Sequence, residues 1–328
     1  MPTRVAVLDD YQRRASSYAD WARLGPDVDV VFFHEPIAEA DLAGALAGFD
    51  VLVLMRERTA FRRPVLEQLP LLRLLITTGT RNASVHDEYL REAGVVYCGT
   101  GRPDGKPTPG IPSTAEVAWA LILAACKRVA AEDRAIRTGR WQLDLPVNLA
   151  GATLGLAGLG HLGSAMIGPA RAFGMDVIAW SRNLTDERAA SAGVRRVSKA
   201  GLLAGSDVLS IHLVLGDRTR GLFQAADLAQ MKKTAVLVNT SRGPIVDEQA
   251  LIEALRAGTI AAAGLDVYDI EPLPPGHPLT TLDNVVLLPH LGYVSEAGFR
   301  QMYGQVVEDI EAFLAGSPIR TISPPASA

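Results

Sequence analysis

The segment LAGLGHLGSAM, residues 156–166, contains three glycines in the spacing G-x-G-x-x-G: Gly158, Gly160 and Gly163. An apolar, strand-like run, Thr153–Ala157, precedes these glycines, and a helical pattern follows them. In that context Gly158 permits a tight turn, Gly160 lets the backbone approach a pyrophosphate, and Gly163 permits close helix–strand packing. The alternative is a turn without a ligand, because the chain has 30 glycines and the motif alone is a weak signal. The surrounding strand and helix favour dinucleotide binding.

The glycine segment lies within a long alternation of strand-like runs and Ala- and Leu-rich helical runs. The predicted strands are Arg4–Leu8, Val28–Phe33, Val51–Leu54, Leu74–Thr77, Val95–Tyr97, Thr153–Ala157, Asp176–Trp180, Asp207–Leu213, Ala235–Asn239, Ala262–Val267 and Val285–Leu288. This alternation predicts an α/β protein with two Rossmann-like domains, each a parallel sheet with helices on both faces. The Gly- and Pro-rich segment 98–113 has no periodicity and is interpreted as a loop at the domain boundary.

Several helices carry signals of their own. Asp247 is a predicted N-cap for a helix that stops before Gly258. Apolar residues recur at steps of three and four over residues 295–314, which predicts a long helix near the C-terminus. Pro169 lies inside the helix that follows the glycines and predicts a bend there. The apolar run Val117–Cys126 is shorter than the ~20 residues of a membrane-spanning helix, so it is predicted to be a buried core helix or a subunit interface.

Composition excludes several classes of function. The 328 residues fit two domains, 48% of them are hydrophobic, and the net charge of -4 predicts neither nucleic-acid nor membrane binding. Cys98 and Cys126 cannot form a disulfide framework or a four-ligand zinc site, and no two histidines stand at i, i+4, so no metal is predicted. The N-terminal segment lacks the build of a signal peptide, and we expect a cytoplasmic protein.

Polar residues follow several of the predicted strands. Arg242 comes after one strand, Asp266 ends the next, Glu271 lies in the proline-rich turn after it, and His290 follows the last strand. Each residue alone has an equally good structural interpretation: a surface turn, a solvated loop or a satisfied histidine. Ligands of open parallel sheets bind beyond the carboxyl ends of the strands. Together with a glycine loop in the same domain, these residues therefore predict a proton-transfer site.

The strand after the glycine motif ends in the sequence VIAWSRN. An NAD site usually has an acidic residue about 20 residues after the glycines, to bind the ribose hydroxyls. This chain has Ser181 and Arg182 there, which suit a 2′-phosphate. The sequence therefore favours NADP(H) over NAD(H), unless Arg182 is simply solvated. His161 in the glycine loop is predicted to face either the cofactor or solvent, and His212, at a strand end, is predicted to line the cofactor cleft.

Several longer motifs resemble those of the D-isomer-specific 2-hydroxyacid dehydrogenases, which include phosphoglycerate, glycerate and formate dehydrogenases and glyoxylate/hydroxypyruvate reductases. The motifs include STAEVAWALIL, GRWQ, SDVLSIHLVLGDRTRGLF, MKKTAVLVNTSRGPIVDEQALIEAL, AGLDVYDIEPLPPGHPL and NVVLLPHLGYVSEAG. The resemblance implies a flavodoxin-like substrate domain, residues 1–108 plus 291–328, and a dinucleotide-binding Rossmann domain, residues 109–290, with a cleft between them. It also implies a homodimer.

The resemblance further implies hydride transfer between NAD(H) or NADP(H) and C2 of a small D-2-hydroxy acid or 2-oxo acid. His290 would be the general acid, and Glu271 would orient its imidazole and favour the protonated form. Arg242 would bind the carboxylate and carbonyl oxygens of the substrate, and Asp266 would place the nicotinamide amide. Small, unphosphorylated 2-oxo acids such as glyoxylate and hydroxypyruvate are candidate substrates.

The full set of predicted ligand contacts is larger than the glycine motif. For the cofactor it comprises Thr114, Gly158, Gly160, His161, Leu162, Gly163, Ser181, Arg182, His212, Thr219, Thr240 and Asp266, and for the substrate Arg56, Gly79, Thr80 and Arg81. Arg81 departs from the family, whose loop usually has glycine there, and its charge could assist an acidic substrate. The loop 98–113 also looks longer than usual.

Two other functions stay open at this stage. A non-catalytic protein that senses a nicotinamide dinucleotide, like a corepressor, could keep the same residues. A methyltransferase could share the glycine loop, but the absence of an acidic residue after the second strand and the polar residues at the later strands argue against it.

Overall fold

A computed structural model of the chain describes residues 2–101 and 112–323. The chain divides into two compact units, Met1–Pro107 with Ser295–Ala328, and Thr108–Val294. Most of the predicted loop 98–113 lies outside the described residues, but Val96–Gly99 forms a strand and a helix begins at Ser113. Within the part of the chain that is described, no helix is both long and apolar enough to cross a membrane.

Strands and helices alternate through both units. The strands are β1 (Thr3–Val7), β2 (Val28–Phe32), β3 (Val51–Leu54), β4 (Leu74–Thr77), β5 (Val96–Gly99), β6 (Thr153–Ala157), β7 (Asp176–Trp180), β8 (Arg195–Arg196), β9 (Val208–Ile211), β10 (Val236–Asn239), β11 (Ala262–Leu265), β12 (Val285–Leu287) and β13 (Thr321–Ser323). The helices are α1 (Ala15–Tyr18), α2 (Leu42–Leu46), α3 (Arg63–Leu66), α4 (Asp87–Glu92), α5 (Ser113–Cys126), α6 (Val129–Arg137), α7 (His161–Ala165), α8 (Ile167–Ala172), α9 (Asp186–Ser191), α10 (Lys199–Gly205), α11 (Ala225–Leu228), α12 (Glu248–Arg256) and α13 (Glu296–Leu314). Single 3₁₀ turns occur at Trp21–Leu24, Glu39–Asp41, Gly243–Ile245 and Pro278–Thr281.

The first unit is built on a sheet with the order β13-β5-β4-β3-β1-β2. Strands β1 to β5 are parallel, and their order is the flavodoxin-like doubly wound one. All residues of β3 and β4 are buried, which explains why these strands are continuous apolar runs. Strand β13 pairs antiparallel with β5, whereas the sequence predicted a parallel sheet. Three residues are too few for β13 to show a periodic pattern.

The long helix near the C-terminus belongs to this first unit. Its N-cap is Ser295, whose hydroxyl accepts a hydrogen bond from the Gly298 amide at 3.1 Å. The buried face of α13 includes Tyr303, whose ring centroid lies 6.3 Å from that of Trp21. The strand pattern had left open which sheet carries this helix, because amphipathic periodicity shows that a face is buried but not against what.

The second unit contains a parallel sheet with the order β12-β11-β10-β9-β6-β7-β8. Counted from β6, this is the Rossmann order 3-2-1-4-5-6 with one further strand. The strand order therefore reverses at β6, directly before the glycine loop. The apolar run Val117–Cys126 lies in α5 and is buried in the core of this unit. A Cβ on Gly264 of β11 would lie 2.9 Å from the Cβ of Leu121, so this glycine lets α5 approach the sheet.

The remaining predictions of elements match the structure closely. The observed ends of the predicted strands lie within two residues of the expected ones, whereas the short edge strands β8 and β13 were missed. Asp247 caps α12 by accepting the Ala250 amide at 2.9 Å, and Gly258 follows the helix with φ 66°. The helix after the glycines is interrupted at Met166, between α7 and α8, because the ring of Pro169 interferes with the preceding turn.

Candidate active site

The glycine loop connects β6 to α7, and its three glycines are required for different reasons. Gly158 has φ 103°, and a Cβ there would lie 2.5 Å from the carbonyl oxygen of His212. A Cβ on Gly163 would overlap the carbonyl oxygen of Gly158. A Cβ on Gly160, in contrast, would meet no atom within 4 Å. Packing thus explains Gly158 and Gly163, whereas open space beside Gly160 leaves its backbone accessible to a ligand.

The ends of the two neighbouring strands flank this loop. The Gly158 amide donates to the Trp180 carbonyl at 2.8 Å, and the His212 amide donates to the Ala157 carbonyl at 2.8 Å. Ser181 and Arg182 directly follow Trp180, so their backbone lies next to the glycine loop. The Arg182 side chain is exposed and forms no hydrogen bond or ion pair with the described residues. Of the other predicted contacts here, His161 is exposed and Leu162 is half-buried, both in the first turn of α7.

Two buried polar atoms lie at the carboxyl ends of β9 and β10 without a partner among the described residues: Nδ1 of His212 and Oγ1 of Thr240. The other ring nitrogen of His212 lies 2.9 Å from the hydroxyl of Ser210. Burial lowers the pKa of His212 to about 4, so its imidazole is neutral at pH 7. Buried polar atoms are normally hydrogen-bonded. These two atoms, with the open space at Gly160, therefore fit the binding of a polar ligand such as a nicotinamide dinucleotide.

Thr219 lies in the loop after β9, and its hydroxyl has local partners. It donates to the Val214 carbonyl at 2.6 Å and accepts from the Gly216 amide at 2.9 Å. The described contacts of Thr219 therefore close its own loop and do not join it to the other predicted residues.

Glu271 and His290 form a close pair. Nδ1 of His290 lies 2.6 Å from Oε2 of Glu271, and the two side chains are 23% and 32% exposed. The other carboxylate oxygen, Oε1, accepts the backbone amide of Tyr268 at 2.9 Å. Glu271 is therefore held on one side and directed at the imidazole on the other. Nε2 of His290 forms no hydrogen bond with the described residues, which leaves it available for a substrate.

Asp266 and Thr114 fix the turn that follows His290. The buried Asp266 carboxylate accepts the amides of Leu291 at 2.7 Å and Gly292 at 2.8 Å, and the Thr114 hydroxyl donates to the Gly292 carbonyl at 2.8 Å. His290 itself has φ 55°, in the left-handed region. A residue other than glycine stays in that region only when its surroundings hold it there. The bonds of Asp266 supply this restraint.

The pKa of the Asp266 carboxyl depends on its burial and on the neighbouring side chains of His290 and Glu271. Burial raises its pKa, whereas the two backbone amides and the positive charge of His290 act against this rise, and Glu271 adds to it. The three groups therefore lie within electrostatic range of one another. Because both oxygens of Asp266 already accept backbone amides, its clearest role in the structure is to shape the turn after His290.

The loop with Arg242 contacts the loop with Glu271. Asn239 donates from its side chain to the Arg242 carbonyl at 2.9 Å, and Nη1 of Arg242 donates to the Ser241 carbonyl at 2.7 Å. A Cβ on Gly243 would overlap the backbone of Tyr268, so the two loops touch main chain to main chain. The structure thus brings together the segments that carry all three predicted catalytic residues.

The predicted substrate contacts lie in the first unit, at the carboxyl ends of β3 and β4. Arg56 has φ 55°, and its amide donates to the Thr78 hydroxyl at 2.9 Å. A Cβ on Gly79, where φ is 125°, would overlap the guanidinium of Arg56, so the two residues are in contact. Thr80 and Arg81 follow; both are exposed, and Arg81 forms no hydrogen bond or ion pair with the described residues.

Several contributions to the site were not predicted. Three of them are backbone amides, those of Tyr268, Leu291 and Gly292. The ring of Tyr293 lies 5.4 Å from that of His290. The side chain of Arg188 donates to the Leu159 carbonyl at 3.0 Å. Backbone amides are independent of residue type, so no sequence signal marks them. Over residues 2–101 and 112–323, no group of three or more His, Cys, Asp or Glu is placed to bind a metal ion.

Comparison with known proteins identifies the family of this chain. The family model for the NAD-binding domain of D-isomer specific 2-hydroxyacid dehydrogenases matches residues 119–292, which contain the glycine loop and the predicted catalytic residues. Glyoxylate reductase from Aeropyrum pernix is 41% identical over 263 residues, covering 77% of this chain and 76% of that protein. D-3-phosphoglycerate dehydrogenase from Archaeoglobus fulgidus is 34% identical over 270 residues, 82% of this chain but 50% of that protein.

Solved structures show the same architecture over almost the whole length. The crystal structure of phosphoglycerate oxidoreductase from Vibrio cholerae superposes with a TM-score of 0.88 at 32% identity, covering 96% of this chain and 100% of that one. The chain therefore belongs to the D-isomer-specific 2-hydroxyacid dehydrogenases, oxidoreductases that transfer a hydride between a nicotinamide cofactor and C2 of a 2-hydroxy or 2-oxo acid.

Proposed function

We propose that this enzyme reduces a small 2-oxo acid, such as glyoxylate or hydroxypyruvate, and that Arg242, Glu271 and His290 are its catalytic residues. The observation that carries this proposal is the 2.6 Å pair of Glu271 Oε2 and His290 Nδ1, with Nε2 left open. The name of the glyoxylate reductase relative supports the substrate class.

The proton in this reaction comes from His290. A bound nicotinamide supplies the hydride to C2 in reduction and accepts it in oxidation. As hydride reaches C2, the carbonyl oxygen gains negative charge and takes the proton from Nε2 of His290. Glu271 keeps the imidazole oriented through Nδ1 and stabilises its positive charge before the transfer. In the oxidation of a hydroxy acid, the neutral imidazole accepts the hydroxyl proton instead.

Cationic and amide groups bind the substrate. The guanidinium of Arg242 holds the carboxylate and the carbonyl oxygen and stabilises the charge that develops there. Arg56, Gly79, Thr80 and Arg81 are further candidate contacts of the substrate. In this proposal the unit that contains residues 2–101 is the substrate domain, and the second unit binds the cofactor.

The cofactor is held by the glycine loop and the strand ends beside it. Gly158, Gly160 and Gly163 with the first turn of α7 bind the pyrophosphate. Thr114, His212, Thr219, Thr240 and Asp266 would complete the cofactor site, and the open polar atoms of His212 and Thr240 would gain a partner there. Ser181 and Arg182 bind a 2′-phosphate, so NADP(H) is the preferred cofactor.

Replacement of His290 tests the catalytic assignment. We expect His290→Gln to lower turnover at least ~100-fold, because a general acid contributes that much or more, while the dissociation constant of the cofactor changes little. His86→Gln, a half-buried histidine of the first unit, is the matched control. Turnover by His290→Gln at the wild-type rate would refute the assignment. A wild-type protein that binds NADH or NADPH but turns over no 2-oxo acid would instead favour the sensing function.

We also propose a cytoplasmic homodimer. Large apolar side chains in and after α6 are exposed, with Trp141 73% and Leu145 88% accessible, although this segment is part of the well-packed second unit. A cluster of exposed apolar groups on a folded protein marks an interaction surface. Both cysteines are buried and free, which suits a reducing compartment.

A further inference from the structure

The loop that carries Glu271 is fastened at both ends to one side chain, Glu248. This residue begins α12, directly after the N-cap Asp247. Its Oε2 accepts the amide of Asp269 at 3.2 Å, at the start of the loop. Its Oε1 lies 3.1 Å from Nε2 of His277, at the end of the loop. One carboxylate therefore bridges both ends of the segment in which Glu271 lies.

The orientation of His277 makes this contact a directed hydrogen bond. Nδ1 of His277 accepts the amide of Leu279 at 3.3 Å, so the proton of the neutral ring is on Nε2 and is donated to Glu248. The two side chains are only 16% and 19% exposed. A shielded bond between a carboxylate and an imidazole is stronger than the same bond on an open surface.

Glu248 and Glu271 accept hydrogen bonds from two neighbouring backbone amides of the loop. Oε1 of Glu271 accepts the amide of Tyr268, and the next amide, that of Asp269, donates to Glu248. A displacement of Asp269 therefore moves the amide that orients Glu271. The loop otherwise exposes Ile270, packs Leu273 on the core and contacts the backbone of Gly243 at Tyr268 and Asp269.

We infer that Glu248 and His277 are positioning residues for hydride transfer, which act through Glu271 on the proton held by His290. This inference rests on the proposed roles of Glu271 and His290. Neither Glu248 nor His277 touches the imidazole of His290 in the described structure. The charged groups that face His290 are Glu271 and Asp266, and those that face Asp269 and His277 are Glu248, Asp247 and Arg220.

Two variants of His277 separate the effect of its hydrogen bond to Glu248 from the effect of changing the side chain itself. His277→Leu removes both hydrogen bonds of the ring, whereas His277→Gln can place an amide where Nε2 was and still donate to Glu248. We expect His277→Leu to lower kcat about tenfold with unchanged cofactor affinity, and His277→Gln to stay within about twofold of wild type. The pH at which reductase activity falls by half moves down in His277→Leu, because a displaced Glu271 stabilises imidazolium less. Glu253→Gln, on the exposed side of the same helix, is the control.

A double-mutant cycle with Glu271→Gln decides the route of the effect. If His277 acts through Glu271, His277→Leu causes no further loss of kcat in the Glu271→Gln background. Equal losses in both backgrounds would overturn the inference, and so would full activity of His277→Leu. Failure of the proposed function has a different signature, namely that Glu271→Gln and His290→Gln themselves retain wild-type turnover. Melting temperatures of all variants show whether a loss reflects unfolding.

Discussion

At the scale of single residues, the site depends on backbone conformations that most side chains avoid. His290 and Arg56 both have left-handed backbones, with φ 55° each, and both lie where ligand contacts are proposed. Such positions persist only where surrounding bonds enforce them. For His290 the enforcing bonds are those from Asp266 to the next two amides. The imidazole that we propose as the general acid is thus positioned by hydrogen bonds to the residues that follow it, against the backbone preference of histidine.

Alanine substitutions at two glycines should separate folding from cofactor binding. In Gly163→Ala the new Cβ overlaps the Gly158 carbonyl, so we expect a loss of about 1–3 kcal/mol in the free energy of unfolding as well as weak cofactor binding. In Gly160→Ala the Cβ meets no protein atom within 4 Å, so the melting temperature should hardly change while the dissociation constant rises at least tenfold. Denaturant unfolding and fluorescence titration with NADPH measure the two effects. Unchanged affinity in Gly160→Ala would argue against a pyrophosphate there.

Arg182 should determine the choice between the two nicotinamide cofactors. Its guanidinium is exposed and free of partners among the described residues, so a 2′-phosphate gains a charge-assisted bond without breaking another. We expect Arg182→Ala to raise the KM for NADPH about tenfold or more and to leave the KM for NADH within about twofold. Steady-state assays at 340 nm with each cofactor provide the comparison. An equal effect on both cofactors would mean that Arg182 does not recognise the 2′-phosphate.

At the scale of elements, strand β13 is attached to α13 by a buried hydrogen bond between Arg320 and Asp309. Nε of Arg320, just before β13, donates to Oδ1 of Asp309 at 2.9 Å, and its Nη2 lies 2.8 Å from Glu308. Oδ2 of Asp309 is buried without a partner among the described residues. Burial raises the pKa of Asp309 to about 7, against the opposing effect of Arg320. The element is therefore held by a carboxyl group that burial favours in its neutral form.

This raised pKa predicts how stability depends on pH. The folded state binds a proton at Asp309 below about pH 7, whereas an exposed aspartate in the unfolded chain does so only near pH 4. The free energy of unfolding should therefore rise by about 2 kcal/mol as pH falls from 8 to 5.5. In Asp309→Asn this component should disappear, and in Glu308→Gln it should remain. Urea unfolding across this pH range tests it; the same pH dependence in Asp309→Asn would contradict the assignment.

At the scale of the whole molecule, the exposed apolar segment after α6 should determine the oligomeric state. Trp141→Glu with Leu145→Asp places two charges on this surface, and we expect monomers at concentrations where the wild type is dimeric. Leu71→Asp, at a half-exposed position of the first unit, is the matched control and should leave the dimer intact. Light scattering after size-exclusion chromatography gives the masses. A wild type that is monomeric, or a dimer that survives the double substitution, would disprove this interface.

The positions of the strands could be predicted from the sequence more completely than the hydrogen bonds within the candidate site. Buried parallel strands are continuous apolar runs, so β3, β4 and β10 could be located almost to the residue. The strands β8 and β13 could not, because an edge strand of two or three residues has no period to detect. Within the site, Glu271 and His290 were predicted as residues. The hydrogen bonds from the Tyr268 amide to Glu271 and from the Asp269 amide to Glu248 were not, because backbone donors carry no residue-type signal.

The amino-acid sequence alone determined the α/β class, the glycine loop and the N-cap of α12, and it predicted which side chains contact ligands. These depend on local spacing and residue type, which a linear chain displays directly. Only the tertiary structure decided that β13 runs antiparallel, and it places α13 with the first sheet, which the strand pattern had left open and the family resemblance had implied. It also decided that one carboxylate holds both ends of the loop with Glu271. The physical reason is that such contacts join residues far apart in the chain, and the energy that selects them comes from packing and hydrogen bonds that exist only after folding.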